Sequence, residues 1–210
     1  MLRRPDLLLD DDGGATAAEF VLVLPLLLMV IFGILDIAGY AWNMNMAQKA
    51  TQFGARQAAV TDPVAPGLAT QDYVGQVVNG VTLGQGDVIP KEALGLITCT
   101  SSSCAATTTP APTPGFNAYA FNQILNRMQG IDPAIQAGNV TIEYRGSGLG
   151  YAGDPSGMQI SPLITVRISG TQQTPWQYMP WMGMIFGAAV PMPQASYTLT
   201  MEDGAGTQSN

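Results

Sequence analysis

The 210-residue chain contains no histidine. Catalytic triads that use an imidazole base are therefore excluded, as are metal sites built on imidazole ligands. Two cysteines, Cys99 and Cys104, are too few for a four-thiolate zinc site. Lysine occurs only at positions 49 and 91, and 8 basic residues face 15 acidic ones, for a net charge of −7. Phosphate contacts need clustered cations, so nucleic acid is excluded as a partner. Charged residues of either sign make up only 11% of the chain, against roughly 25% in ordinary soluble domains. Disorder needs low hydrophobicity with high charge. A hydrophobic content of 47% and a mean hydropathy of +0.17 exclude it for the chain as a whole. No cofactor, metal or small-molecule substrate is implied, and the chain reads as no enzyme.

The hydrophobicity is concentrated. Ala15 to Leu35, ATAAEFVLVLPLLLMVIFGIL, carries a single charge, Glu19. As a helix rising about 1.5 Å per residue this run spans roughly 30 Å, the thickness of a bilayer core. It is longer than the 7–15 apolar residues typical of a cleaved secretory signal. The nearest small-x-small cleavage site, Gly39-Tyr40-Ala41, would require an unusually long leader. Arg3 and Arg4 before the span balance Lys49 and Arg56 after it, so the positive-inside rule gives no orientation. The following 150 or so residues hold a plausible disulfide pair, which puts them outside the cytoplasm. Tyr40 and Trp42 suit either the headgroup layer or packing against the rest of the protein.

Asp36 to Val60 has no proline and is rich in Ala, Met and Gln, so the helix is expected to continue to about residue 60. Thr61-Asp62-Pro63 is the stop signal. Pro25, in the lipid half, is expected to kink the helix. Ala47, Ala50, Gly54 and Ala58 leave one face of the outer half nearly flat. Such a face either packs on its own domain or admits neighbouring copies or partner helices.

Immediately before the apolar run stands Gly13-Gly14-Ala15-Thr16-Ala17-Ala18-Glu19-Phe20. A glycine followed five residues later by a glutamate and then an apolar helix resembles the prepilin family. More narrowly, AAEF at 17–20, VLPLLL at 23–28, FGILD at 32–36, Trp42, Asn45, Ala50 and GAR at 54–56 make Ala15 to Val60 similar to the N-terminal region of TadE-like proteins of the tight-adherence (Flp) pilus system. The resemblance implies cleavage between Gly14 and Ala15 by a prepilin peptidase on the cytoplasmic face. It also implies partners: other pilus subunits and the inner-membrane assembly platform. The residues before the glycine, Asp10-Asp11-Asp12, are acidic where such leaders are usually basic. Glu19 has two readings. It is a carboxylate at the interface, favoured by the helix N-terminal dipole, or it neutralises the new α-amino group of Ala15 on a neighbouring subunit. A carboxylate held at mid-membrane would cost about 2.5–3.5 kcal/mol.

Past Pro63 the chain changes to short segments broken by Gly, Pro and Thr. The pattern predicts a short helix over 69–79, a strand over 93–100, a loop over 105–115 and a helix over 116–129 with Asn117 as cap and Gly130 as stop. Clean alternation predicts strands over 140–145, 163–169 and 195–202, the first two joined by the Gly-rich loop 146–157 as a long hairpin. That loop is no phosphate cradle, because no Gly-Lys-Ser/Thr follows. Cys99 and Cys104 close a small loop, as a disulfide or as two free thiols; a redox motif would be Cys-x-x-Cys. TPWQYMPWMGMIFGAAVPMP, at 174–193, is too proline-broken to span a membrane. It reads as a short helix or loop covering the sheet, or as an exposed partner patch of Trp176, Trp181 and Met182. Glu202-Asp203 reads as a solvated strand end.

These readings combine into an α+β, pilin-like layout: a leader over 1–14, a long helix over 15–60 with its membrane span at about 15–35, and an extracytoplasmic domain over 61–210. The corresponding function is a minor pilin or pseudopilin of a tight-adherence pilus, acting in assembly, priming or the tip complex. Its place is the inner membrane, as a single-pass protein with its N-terminus cytoplasmic, or the filament itself. Two rivals are a membrane-tethered extracytoplasmic binding module unrelated to pili, and an exported hydrolase with a leader cut after Ala41.

Overall fold

The computed structural model describes residues 12–107, 112–155 and 157–201. The chain divides into two compact units. One runs to Trp42 and includes Tyr178–Val190; the other comprises Asn43–Gln177 and the chain from Pro191 onward.

The first unit is dominated by the long helix α1, Asp12–Ala59, which continues into the second. Its 48 residues correspond to about 72 Å. It begins three residues before the expected start and passes through Pro25 without ending. The band from Phe20 to Ile37 exposes almost every large apolar side chain, including Leu22, Leu26, Ile34 and Ile37. A soluble helix would hide at least one face; among the described residues nothing covers this band. The same unit contains α4, Trp181–Phe186, reached through the two-residue pair β7 (Gln177–Tyr178) and β8 (Val190–Pro191).

The second unit is a five-stranded antiparallel sheet covered by helix. The strands are β3 (Ile97–Cys99), β4 (Cys104–Ala106), β5 (Val140–Arg145), β6 (Leu163–Ile168) and β9 (Ala195–Thr200), in the order β4-β3-β5-β6-β9. In β5 and β6 the period-2 alternation turns Val140, Ile142 and Tyr144, and Ile164, Val166 and Ile168, into the core. Glu143, Arg145, Thr165 and Arg167 fall on the other face, where Glu143 Oε1 and Oε2 pair with Arg167 at 3.0 Å and Arg145 at 3.3 Å.

The outer part of α1 lies on this core. Ala47, Ala50, Thr51, Gly54, Ala55 and Ala58 are buried. A Cβ at position 54 would come within 2.7 Å of Met128 Cγ and 3.3 Å of Val166 Cγ1. The small-residue face is therefore the seat of the chain's own domain, with no room for neighbouring copies or partner helices. Beyond Ala59 the helix stops before Pro63, and Thr61 Oγ1 donates to the Gln57 carbonyl at 2.8 Å, supplying one of the orphan carbonyls of the last turn with a partner. Met128 belongs to α3, Ala118–Gln129, whose N-terminus is capped by Asn117 Oδ1 accepting from Ala120 N at 3.1 Å. Its Phe121, Ile124, Leu125 and Met128 face inward.

Three expectations fail in the intervening segments. Only Gly67–Thr70 (α2) is helical in the stretch expected as a helix over 69–79; β1 (Val77–Val78) and β2 (Val81–Thr82) follow as a hairpin. Its two-residue turn is Asn79-Gly80, both with positive φ (52° and 79°), the arrangement a type I′ turn demands. The strand expected from residue 93 starts at Ile97, after a 3-10 turn at Lys91–Ala93. Strand β4 lies partly in the segment read as loop.

Candidate functional site

Gly14 lies in the first turn of α1, where a Cβ would meet nothing within 4 Å, and Ala15 follows it in the helix. Glu19 is exposed one turn further on, and among the described residues no cation lies within ion-pair distance of it. The leader residues 1–11 lie outside the described residues. From Ala17 onward this is the one helix among the described residues long and apolar enough to cross a membrane.

At the other end of the apolar run is a junction that the sequence reading did not foresee. Asp36, the first charge after Glu19, places its two carboxylate oxygens at the N-terminus of α4. Oδ1 accepts from Trp181 N at 2.6 Å and Oδ2 from Met182 N at 3.0 Å. Both donors are among the first N–H groups of α4, which have no partner inside the helix. One turn along α1, Tyr178 packs edge-on against Tyr40, ring centroids 6.0 Å apart, with its hydroxyl against Gly39. Asp36, Ile37, Tyr40, Tyr178, Met182 and Val190 line a shallow apolar groove of about 360 Å³. Gly187 ends α4 in the left-handed conformation, φ 70°, its N–H returned to the Gly183 carbonyl.

The expected Trp/Met patch is divided. Trp176 is buried, 7% exposed, in the sheet unit, where its carbonyl accepts from Met192 N at 3.0 Å. It cannot belong to a contact surface. Trp181 is 64% exposed and Met182 half-buried. The exposed apolar surface continues instead through Met184, Ile185 and Phe186, each 70% exposed. The signal for α4 was present as Pro180 before the run and Gly187 after it. Nothing local in the sequence pairs it with Asp36, 145 residues away.

Cys99 and Cys104 face each other across the β3–β4 hairpin as a register pair and are disulfide-bonded. Glu202 and Asp203 lie outside the described residues. No group of three or more metal-ligating side chains occurs among the described residues.

A single apolar helix that anchors the chain in a membrane, continuing into a small antiparallel sheet with short helices, defines an α+β protein of pilin-like layout. Residues 14–56 match the family model of TadE-like proteins. The match covers the membrane span, Asp36 and most of the outer half of α1, while α4 lies outside it, and it associates the chain with the tight-adherence pilus. No curated protein and no solved structure matches the chain.

Proposed function

We propose that the chain is a minor pilin or pseudopilin of a tight-adherence pilus, processed by a prepilin peptidase and acting in filament assembly, priming or the tip complex. The observation that carries this reading is the grouping of Gly14, Ala15 and Glu19 at the head of a lipid-facing helix, inside the TadE-like region. The bond after Gly14 is exposed at the helix start, where the first turn frays most readily, so a peptidase at the cytoplasmic face can reach it. Cleavage there removes Arg3, Arg4 and the aspartates at 6, 10, 11 and 12. It also creates an α-amino group on Ala15. Glu19 then stands one turn from that amine, with no cation of its own among the described residues. An amine and a carboxylate brought together in low dielectric attract far more strongly than in water. Pairing Glu19 of one subunit with Ala15 of the next therefore sets the axial register of assembly. The Cys99–Cys104 bond supports an extracytoplasmic domain, since disulfides persist in oxidising compartments.

Intact mass and N-terminal sequencing of the mature protein test the reading. A start at Ala15 is the expected result. A start at Trp42 or an uncut Met1 would overturn it, in favour of an exported or merely tethered protein. Glu19→Ala should leave cleavage and membrane insertion intact while reducing pilus number sharply; normal piliation would remove the charge-pairing role.

A further inference from the structure

The segment that carries α4 has an unusual composition. No charged residue occurs between Arg167 and Glu202. Within it, Trp181, Met184, Ile185 and Phe186 all point away from protein, each 64–70% exposed. A cluster of large apolar side chains of this kind on a water-facing surface marks a contact. Its position identifies the contact. The apolar band of α1 runs to Leu35, and about 20 helical residues cross a hydrocarbon core, so Asp36 stands where acyl chains give way to headgroups. Tyr178 packs at Gly39 and Tyr40, and three residues later Trp181 is bonded to Asp36. The chain thus steps one helical turn toward the lipid as it enters α4. The start of α4 is bonded to Asp36, where the lipid-facing band of α1 ends, and Met182 and exposed Ile37 line one groove there; Trp181 at this point suits the level where amphipathic aromatic rings are favoured.

From this placement we infer that α4 is an interfacial membrane helix, held by the Asp36 carboxylate so that Trp181, Met184, Ile185 and Phe186 enter the leaflet from which α1 emerges. The occupant of the patch is the lipid surface itself. The chain then has two membrane attachments, one spanning and one lying in the interface plane. The second fixes the rotation of α1 about its axis as well as its depth, because a single helix in lipid is free to turn. The inference rests on α1 as membrane anchor and needs neither cleavage nor a pilus.

The test is a depth measurement on the full chain in vesicles of phosphatidylethanolamine and phosphatidylglycerol, with no other protein present. Both native cysteines are bonded to each other, so Ile185→Cys introduces one free thiol for a nitroxide label; Phe186→Cys gives an independent reading. Val30→Cys, on the lipid-facing band, and Val77→Cys, exposed in the β1–β2 hairpin, calibrate lipid and water. Labels at 185 and 186 should be relaxed more by oxygen than by a water-soluble nickel complex, as at 30 and opposite to 77. If they behave like 77, the patch faces water and awaits a protein, and the inference is overturned. A water-like signal at 30 would overturn the anchor and the inference together. With Asp36→Ala added, the label at 185 should shift toward the water value; an unchanged depth would remove Asp36 as the holding group.

Discussion

Tyr144 shows how much a single side chain fixes. It projects from β5 into the core with no exposure, and its hydroxyl accepts from Val64 N at 2.9 Å, 80 residues away. Val64 is itself buried, in the segment where the chain leaves α1. The phenol thus ties the end of the long helix to the centre of the sheet. Tyr144→Phe keeps the ring and the packing but leaves a buried N–H without its acceptor. Such a group costs about 1–3 kcal/mol, and the denaturation midpoint of the detergent-solubilised protein should fall accordingly, with far-UV circular dichroism unchanged. A midpoint equal to that of the parent would mean that Val64 N finds another acceptor. Trp176 and Trp181 make the complementary point. They are five residues apart in one uncharged segment, yet one is buried and the other exposed. Composition could nominate both; only the fold separates them.

At the level of elements, α1, α3 and β6 approach closely around Gly54. Replacing Gly54 by leucine inserts four carbons where even a Cβ crowds Met128 and Val166. Overpacking of this kind typically costs about 1–3 kcal/mol, while the same change at exposed Gln52 should stay within about 0.5 kcal/mol. Midpoints of chemical unfolding for the two variants decide it; equal midpoints would mean that α1 can lift from the sheet without loss. The β3–β4 hairpin makes a second prediction. Closing so short a loop by Cys99–Cys104 contributes about 2 kcal/mol by chain entropy, which the double serine variant should lose in the same assay. The elements legible in the sequence were those with strong local periodicity: the apolar span, the helix after Asn117, and the alternating β5, β6 and β9. Those missed had weak or competing signals. Residues 69–79 contain good helix formers, yet Asn79-Gly80 forces a hairpin. Strand β4 begins at Cys104 and ends where a Thr/Pro tract begins, its pairing imposed by its partner strand. The Asp36–α4 bond is wholly non-local, so no window of sequence could show it.

For the whole molecule, the absence of histidine removes every side chain whose ordinary pKa lies between pH 5 and 8, so stability should vary little near neutrality. The sensitive region is alkaline. Burial pushes the Tyr73 hydroxyl up to about 12, and burial pushes Tyr144 up as well, outweighing the hydrogen bond from Val64 N, which acts the other way. Unfolding returns both groups to an ordinary value of about 10. The folded state therefore favours the neutral phenols. Their contribution is fully present below about pH 10; that of Tyr73 is lost as pH rises through about 12 and that of Tyr144 at still higher pH, because the unfolded chain releases these protons first. In a spectrophotometric titration at 295 nm, the ionisation of this buried pair should come well above pH 10, together with the collapse of far-UV circular dichroism. If Tyr73 and Tyr144 ionise near pH 10 while the sheet persists, the core around β5 must admit water freely, and the packing of α1 on the sheet would have to be looser than Gly54, Met128 and Val166 require.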